Sequence, residues 1–136
     1  MDDKYYMSIA IKLAKKAFRK SEVPVGAVIV CDNKILSTAY NKKNITGRTI
    51  NHAEIIAIDK ANKKKHDWRL NGCTMYVSLK PCDMCMGAIR EARISRVVYA
   101  SDRCCDSSNV TYEQVSDMSL IDDSSKLIKK FFEIRR

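Results

Sequence analysis

Residues 73–101 read CTMYVSLKPCDMCMGAIREARISRVVYAS, and this stretch decides the fold. Cys73–Leu79 is a short apolar run of strand character. Pro81 and Asp83 then open a helix to about Arg93, with proline in or near its first turn. Arg96–Ser101 is a strand again. Strand, helix and strand in succession imply a parallel pair joined by a crossover helix, and hence a sheet covered by helices.

The flanking segments extend this unit. Residues 3–20 place Tyr6, Ile9, Ala10, Leu13, Ala14 and Ala17 at spacings of three and four with lysines between, the pattern of an amphipathic helix. Val25–Cys31 and Lys34–Tyr40 flank Asp32-Asn33 and read as a hairpin. Residues 41–51 have loop composition. His52–Lys64 carries Ala53, Ile56, Ala57 and Ala61 on a helical repeat, with Asn51 placed to cap it. Ser124–Arg136 reads as a last helix with Leu127, Ile128, Phe131 and Phe132 on one apolar side. The expected architecture is α/β, a three-layer α/β/α sandwich with a mixed central sheet, formed by residues 1–136 as one domain.

Composition narrows the function. No run approaches the ~18 apolar residues of a membrane span, and no apolar h-region follows Met1-Asp2-Asp3-Lys4, so a cytoplasmic protein without membrane partners is expected. The six cysteines then read as thiols or metal ligands. Cys31 and Cys73 sit in apolar runs and read as buried thiols. Cys104 and Cys105 are adjacent, which makes a mutual disulfide strained. The net charge of +9 favours a polyanion partner, although the basic residues recur along the chain and define no single patch.

The chemistry lies in His52-Ala53-Glu54 and Pro81-Cys82-Asp83-Met84-Cys85. Cysteines three apart share one helix face, so one ion can bind both thiolates. The helix start favours their deprotonated form. With His52 added, three protein ligands leave a fourth tetrahedral position for water, which is the catalytic type of zinc site. Zinc lowers the pKa of bound water to about 7. A carboxylate must still move that water's proton to a ring nitrogen and then to a leaving amine. Glu54 is the candidate for this shuttle and not a ligand. Two alternatives stay open at this point: a redox Cys-x-x-Cys, and a structural zinc site completed by Cys73, Cys104, Cys105 or His66.

The pattern H-x-E…P-C-x-x-C is the zinc deaminase signature, and the likeness extends beyond it. Glu22-Val-Pro-Val-Gly-Ala-Val28, Asn51-His-Ala-Glu-Ile55, Tyr76–Ile89, Arg93–Tyr99 and the terminal Phe131-Phe-Glu-Ile-Arg-Arg136 resemble bacterial tRNA-specific adenosine deaminases. That family converts the wobble adenosine of an arginine tRNA to inosine. The resemblance implies a cytidine deaminase-like fold, one Zn2+ per subunit on His52, Cys82 and Cys85, Glu54 as catalytic proton shuttle, and a homodimer. It implies that Asn41 hydrogen-bonds the target base. Val23, Leu79 and Pro81 would wall the pocket, while Phe132 and Arg135 would hold flanking nucleotides of the tRNA anticodon loop.

Two departures stand out. The family usually carries glutamate before the Pro-Cys pair, where this chain has Lys80. Its Gly/Ala-rich loop is here Ser101-Asp-Arg-Cys-Cys-Asp-Ser-Ser-Asn109, with Asp102 at the place of a substrate-contacting aspartate. The competing functions are deamination of a free base or nucleoside (cytosine, guanine or cytidine) and a non-catalytic zinc- and RNA-binding role.

Overall fold

The computed structural model describes residues 2–102 and 112–134. Helix α1 (Asp3–Arg19) leads into strand β1 (Gly26–Cys31) and strand β2 (Lys34–Tyr40). A single helical turn α2 (Lys43–Thr46) precedes helix α3 (Ala53–Lys65). Strand β3 (Thr74–Leu79), helix α4 (Asp83–Glu91) and strand β4 (Arg96–Ser101) form the crossover unit. Strand β5 (Tyr112–Gln114) and helix α5 (Met118–Ile134) complete the described chain.

The sheet order is β2-β1-β3-β4-β5. β1 is antiparallel to β2 and β3, whereas β3, β4 and β5 are parallel. Because strand side chains alternate between faces, β1 sends Ala27 and Ile29 into a core with Ala57, Ala61, Met86 and Ile89 of α3 and α4. It sends Val28 and Val30 the other way, against Met7, Ala10 and Ile11 of α1 and Leu120 and Ile121 of α5. Helices therefore cover both faces, and the expected α/β/α arrangement with a mixed sheet is borne out. No helix is long and apolar enough to cross a membrane among the described residues.

Several local readings change. The stretch 41–51 is not wholly irregular: α2 lies within it, ended by Gly47 in the left-handed region (φ 67°). Asn51 does not cap α3, because its side-chain amide donates to Thr46 Oγ1 (2.9 Å). The cap comes from Asn41, whose Oδ1 accepts from the Ala53 N–H (2.7 Å). The last helix begins at Met118, not Ser124, with Asp117 Oδ1 accepting from the Ser119 N–H (2.9 Å). Ser124 marks no start; its buried hydroxyl donates across to the Ser78 carbonyl (2.6 Å) and pins α5 to β3. Lastly, Phe131 is buried while Phe132 is 51% exposed, so the two do not share one apolar side. Cys73 is fully buried, as expected, but Cys31 is only half-buried. Cys104, Cys105, Arg135 and residues 103–109 of the altered loop lie outside the described residues.

Two contacts fix the frame around the sheet. Gly26 lies directly under α1, where an added Cβ would meet Ala10 O at 2.1 Å and Ala14 N at 2.8 Å. Backbone cannot retreat as a side-chain tip can, so Gly26→Ala should lower stability by about 2–3 kcal/mol. Urea unfolding measures this as a reduced midpoint at unchanged slope.

Arg96, at the start of β4, donates to Asp3 of α1 (Nη2 to Oδ2, 2.6 Å) and Glu113 of β5 (Nε to Oε2, 2.6 Å). These hydrogen bonds hold both carboxyls below the ordinary carboxylate range. Folded-state values lowered in this way stabilise the protein above the unfolded pKa near 4, and the gain fades as pH falls through the lowered values. Both carboxylates are about two-fifths exposed, so solvent screens the pairs. Arg96→Ala should cost about 1 kcal/mol at pH 7. The difference from the parent should shrink progressively in melts taken as pH falls below the unfolded value near 4 and through the lowered folded values.

Candidate active site

Helices α3 and α4 start at the same end of the sheet, and their N-cap positions are occupied by His52 and Cys82. Neither side chain caps its own helix. Both are left to face each other, with His52 Nδ1 at 3.8 Å from Cys82 Sγ and 3.5 Å from Cys85 Sγ. The three ligand atoms all lie within 4.8 Å of one another. Cys85 stands in the first turn of α4 and is fully buried. Two helix starts thus meet at one end of the sheet.

The donor set suits zinc. One imidazole and two thiols are borderline-soft ligands, and three of them make up the protein share of an open tetrahedral site. Burial, then the neighbouring Glu54 and Cys82, push the Cys85 thiol far above its ordinary value. A divalent cation reverses this preference, since it replaces the lost solvation of a thiolate. Of the other ligands considered, His66 is exposed at the far end of α3. Cys73 precedes β3 at the opposite end of that strand from the cluster. Neither reaches this group.

Glu54 lies in the first turn of α3 and is 3% exposed, its carboxyl in contact with the Cys85 thiol. It lines a cavity of about 360 Å³ together with His52, Asn41, Val23, Leu79, Asp102 and Phe132. Pro81 is buried and is not among the lining residues. Arg135 lies outside the described residues. Lys80 approaches Asp102 (3.9 Å) and lies over the Tyr99 ring, so the substituted lysine sits in a polar cluster at the rim.

Val25, Lys43 and Ile128 also line the cavity and were not singled out from the sequence. Lys43 was read only as part of the recurring positive charge. Its place is set by Glu22, a fully buried carboxylate that accepts from the Asn44 and Ile45 N–H groups (2.9 and 2.6 Å) and so anchors α2. A lone acid opening an apolar run was the available signal. A larger cleft of about 660 Å³ lies beside Asp3, Glu113 and Asp117. Those three acids are taken up by Arg96 and Lys4, Asp2 accepts from the Tyr5 N–H, and the cleft is lined by none of the His/Cys cluster.

Comparison with known proteins agrees with this geometry. Residues 1–101 match the cytidine and deoxycytidylate deaminase zinc-binding region. A tRNA-specific adenosine deaminase from Bacillus subtilis is 48% identical over 99 residues, 73% of this chain and 62% of that relative. The chain thus spans about three-fifths of that relative's length. A structure from studies of A-to-I editing by tRNA:A34 deaminases superposes with a TM-score of 0.82 at 28% identity, covering 91% of this chain and 99% of the other. Guanine deaminase from Bacillus subtilis superposes at 0.72 with 36% identity, covering 75% and 66%. The match over residues 1–101, with His52 and Glu54 lining one cavity and Cys82 and Cys85 grouped around His52, places this chain in the cytidine and deoxycytidylate deaminase zinc-binding family.

Proposed function

We propose that this protein deaminates adenosine to inosine at the wobble position of a tRNA: adenosine and water give inosine and ammonia. The observation that carries the reading is the cavity itself, which joins the His52/Cys82/Cys85 cluster and Glu54 to an apolar slot opening beside Phe132 and Lys43. Zinc held by His52, Cys82 and Cys85 would supply the Lewis acidity that makes water a nucleophile near neutral pH.

The chain's own groups do the rest. Glu54, shielded from solvent, takes one proton from the attacking water and passes it to a ring nitrogen of the base. It then carries the second proton from the oxygen now bonded to the base to the departing amine as the C–N bond breaks. Asn41 has its Oδ1 committed to the Ala53 N–H, so its Nδ2 donor is what it offers the base. Val23, Val25, Leu79 and Ile128 give the base apolar walls and exclude water.

RNA rather than a free base is favoured by the rim. Phe132 is half exposed although it lines the cavity, and Lys43 stands beside it. An exposed ring and a cation suit a stacked neighbouring base and a phosphate. The unpaired anticodon loop also makes base extrusion cheap. The net charge of +9 points the same way. A cytoplasmic, single-domain homodimer belongs to this reading; exposed Ile45, Ile50 and Met84, from segments that carry site residues, would supply apolar surface for the partner copy.

The test is incubation with a tRNA carrying wobble adenosine, in parallel with guanine, cytosine, cytidine and adenosine. Nuclease digestion and mass spectrometry should find inosine in the tRNA, at a rate that falls as salt rises. Ammonia from a free base with none from tRNA would overturn the reading. Glu54→Gln should keep its zinc but lose about 10²–10⁴-fold in rate.

A further inference from the structure

Two cysteines that the chemistry above does not use face each other at the other end of the sheet. The β1–β3 register runs Ala27↔Val77, Val28↔Tyr76, Ile29↔Met75 and Val30↔Thr74. One more step sets Cys31 opposite Cys73. Both pack on the α3–α4 face, near enough for each thiol to act on the other, while the Cys73 thiol is directed at Asn71 O (4.0 Å).

Their backbones point away from each other. The Cys73 N–H donates to Leu70 O and its carbonyl accepts from the Ser95 N–H, while Cys31 pairs with Lys34 across the hairpin. This is a non-hydrogen-bonded antiparallel pair, whose Cα atoms stand about 4.5 Å apart. That separation lies inside the range a disulfide spans.

Access is one-sided. Cys73 is fully buried, whereas half-buried Cys31 opens on a cleft of about 360 Å³ lined by Asp32, Lys34, Lys64 and Lys65. Three cations against one acid favour an anionic reagent there.

We infer that Cys31 and Cys73 form a reversible redox pair, oxidised to a β1–β3 disulfide by a small anionic disulfide that enters through the lysine-lined cleft. Cys31 Sγ attacks one sulfur of the reagent, breaking its S–S bond and releasing one thiolate, which takes the Cys31 proton. Cys73 Sγ then attacks Cys31 Sγ and releases the second thiolate, which takes the Cys73 proton. Two protein thiols are oxidised and one reagent disulfide is reduced to two thiols. Burial, and then the Cys31 thiol, push Cys73 up to about 12, so the half-exposed Cys31 reacts first and Cys73 attacks only once the mixed disulfide is held beside it.

The bond closes residues 31–73, the segment carrying Asn41, His52 and Glu54, yet it forms at the opposite end of β3 from Leu79 and the cavity. Six strand residues separate the two ends, about 20 Å. It should therefore stiffen the chain without touching the zinc cluster, and the inference does not depend on the proposed substrate.

The test uses the full-length, zinc-loaded protein treated with oxidised glutathione, alkylated, digested and mapped by mass spectrometry, with zinc content and Tm followed on the same samples. The expected result is a Cys31–Cys73 cross-linked peptide, unchanged zinc, and a Tm raised by about 5 °C or more that dithiothreitol reverses. Cys31→Ser, at the half-exposed position, should fold and lose both the peptide and the Tm rise; Cys73→Ala should do the same. A glutathione adduct persisting on Cys31, cross-links confined to the other cysteines, or an unchanged Tm would overturn the inference.

Discussion

Every helix start must satisfy its first N–H groups, and this protein meets that demand at α3 without using the residue in the N-cap position. Asn41, twelve residues upstream at the end of β2, takes the Ala53 N–H instead. The His52 ring instead turns toward α4, where Cys82 likewise occupies an N-cap position without capping it. The metal cluster depends on this substitution. A conventional cap at 52 would satisfy the helix and leave the two cysteines without their third partner.

The same bond ties the helix start to the cavity wall. The Asn41 side chain fixes the helix that carries His52 and Glu54, and the residue also lines the cavity. Loss of that amide would disturb the cluster and the cavity together. Glu22 plays the parallel role for the rim, since its buried carboxylate anchors α2 and with it Lys43. Ser124 does so on the opposite wall, pinning α5 to β3 so that Ile128 and Phe132 reach the cavity.

Much of this was legible in the sequence, and for identifiable reasons. Strand and helix periods over residues 3–40 and 73–101 are strong because each element buries one face or both, which the pattern records directly. His52, Glu54, Cys82 and Cys85 were legible because metal and proton chemistry restrict both residue type and spacing. What was not legible rests on contacts distant in sequence. Nothing local marks Asn41 rather than Asn51 as the cap of α3. A serine such as Ser124 favours helix starts by propensity, yet here its hydroxyl is spent on a strand carbonyl far upstream. β5 is three residues long and made only by its register with β4, too short to carry a period of its own. Phe131 and Phe132 look alike in sequence, and only the packing of α5 decides which is buried.

An open three-ligand zinc site on His52, Cys82 and Cys85 is tested most directly by zinc-edge X-ray absorption on the purified protein. Two sulfur scatterers at about 2.3 Å and two nitrogen or oxygen scatterers at about 2.0–2.1 Å are expected, one of the latter exchangeable with solvent. A first shell of three or four sulfurs, or a protein that binds no zinc when these three residues are intact, would contradict it.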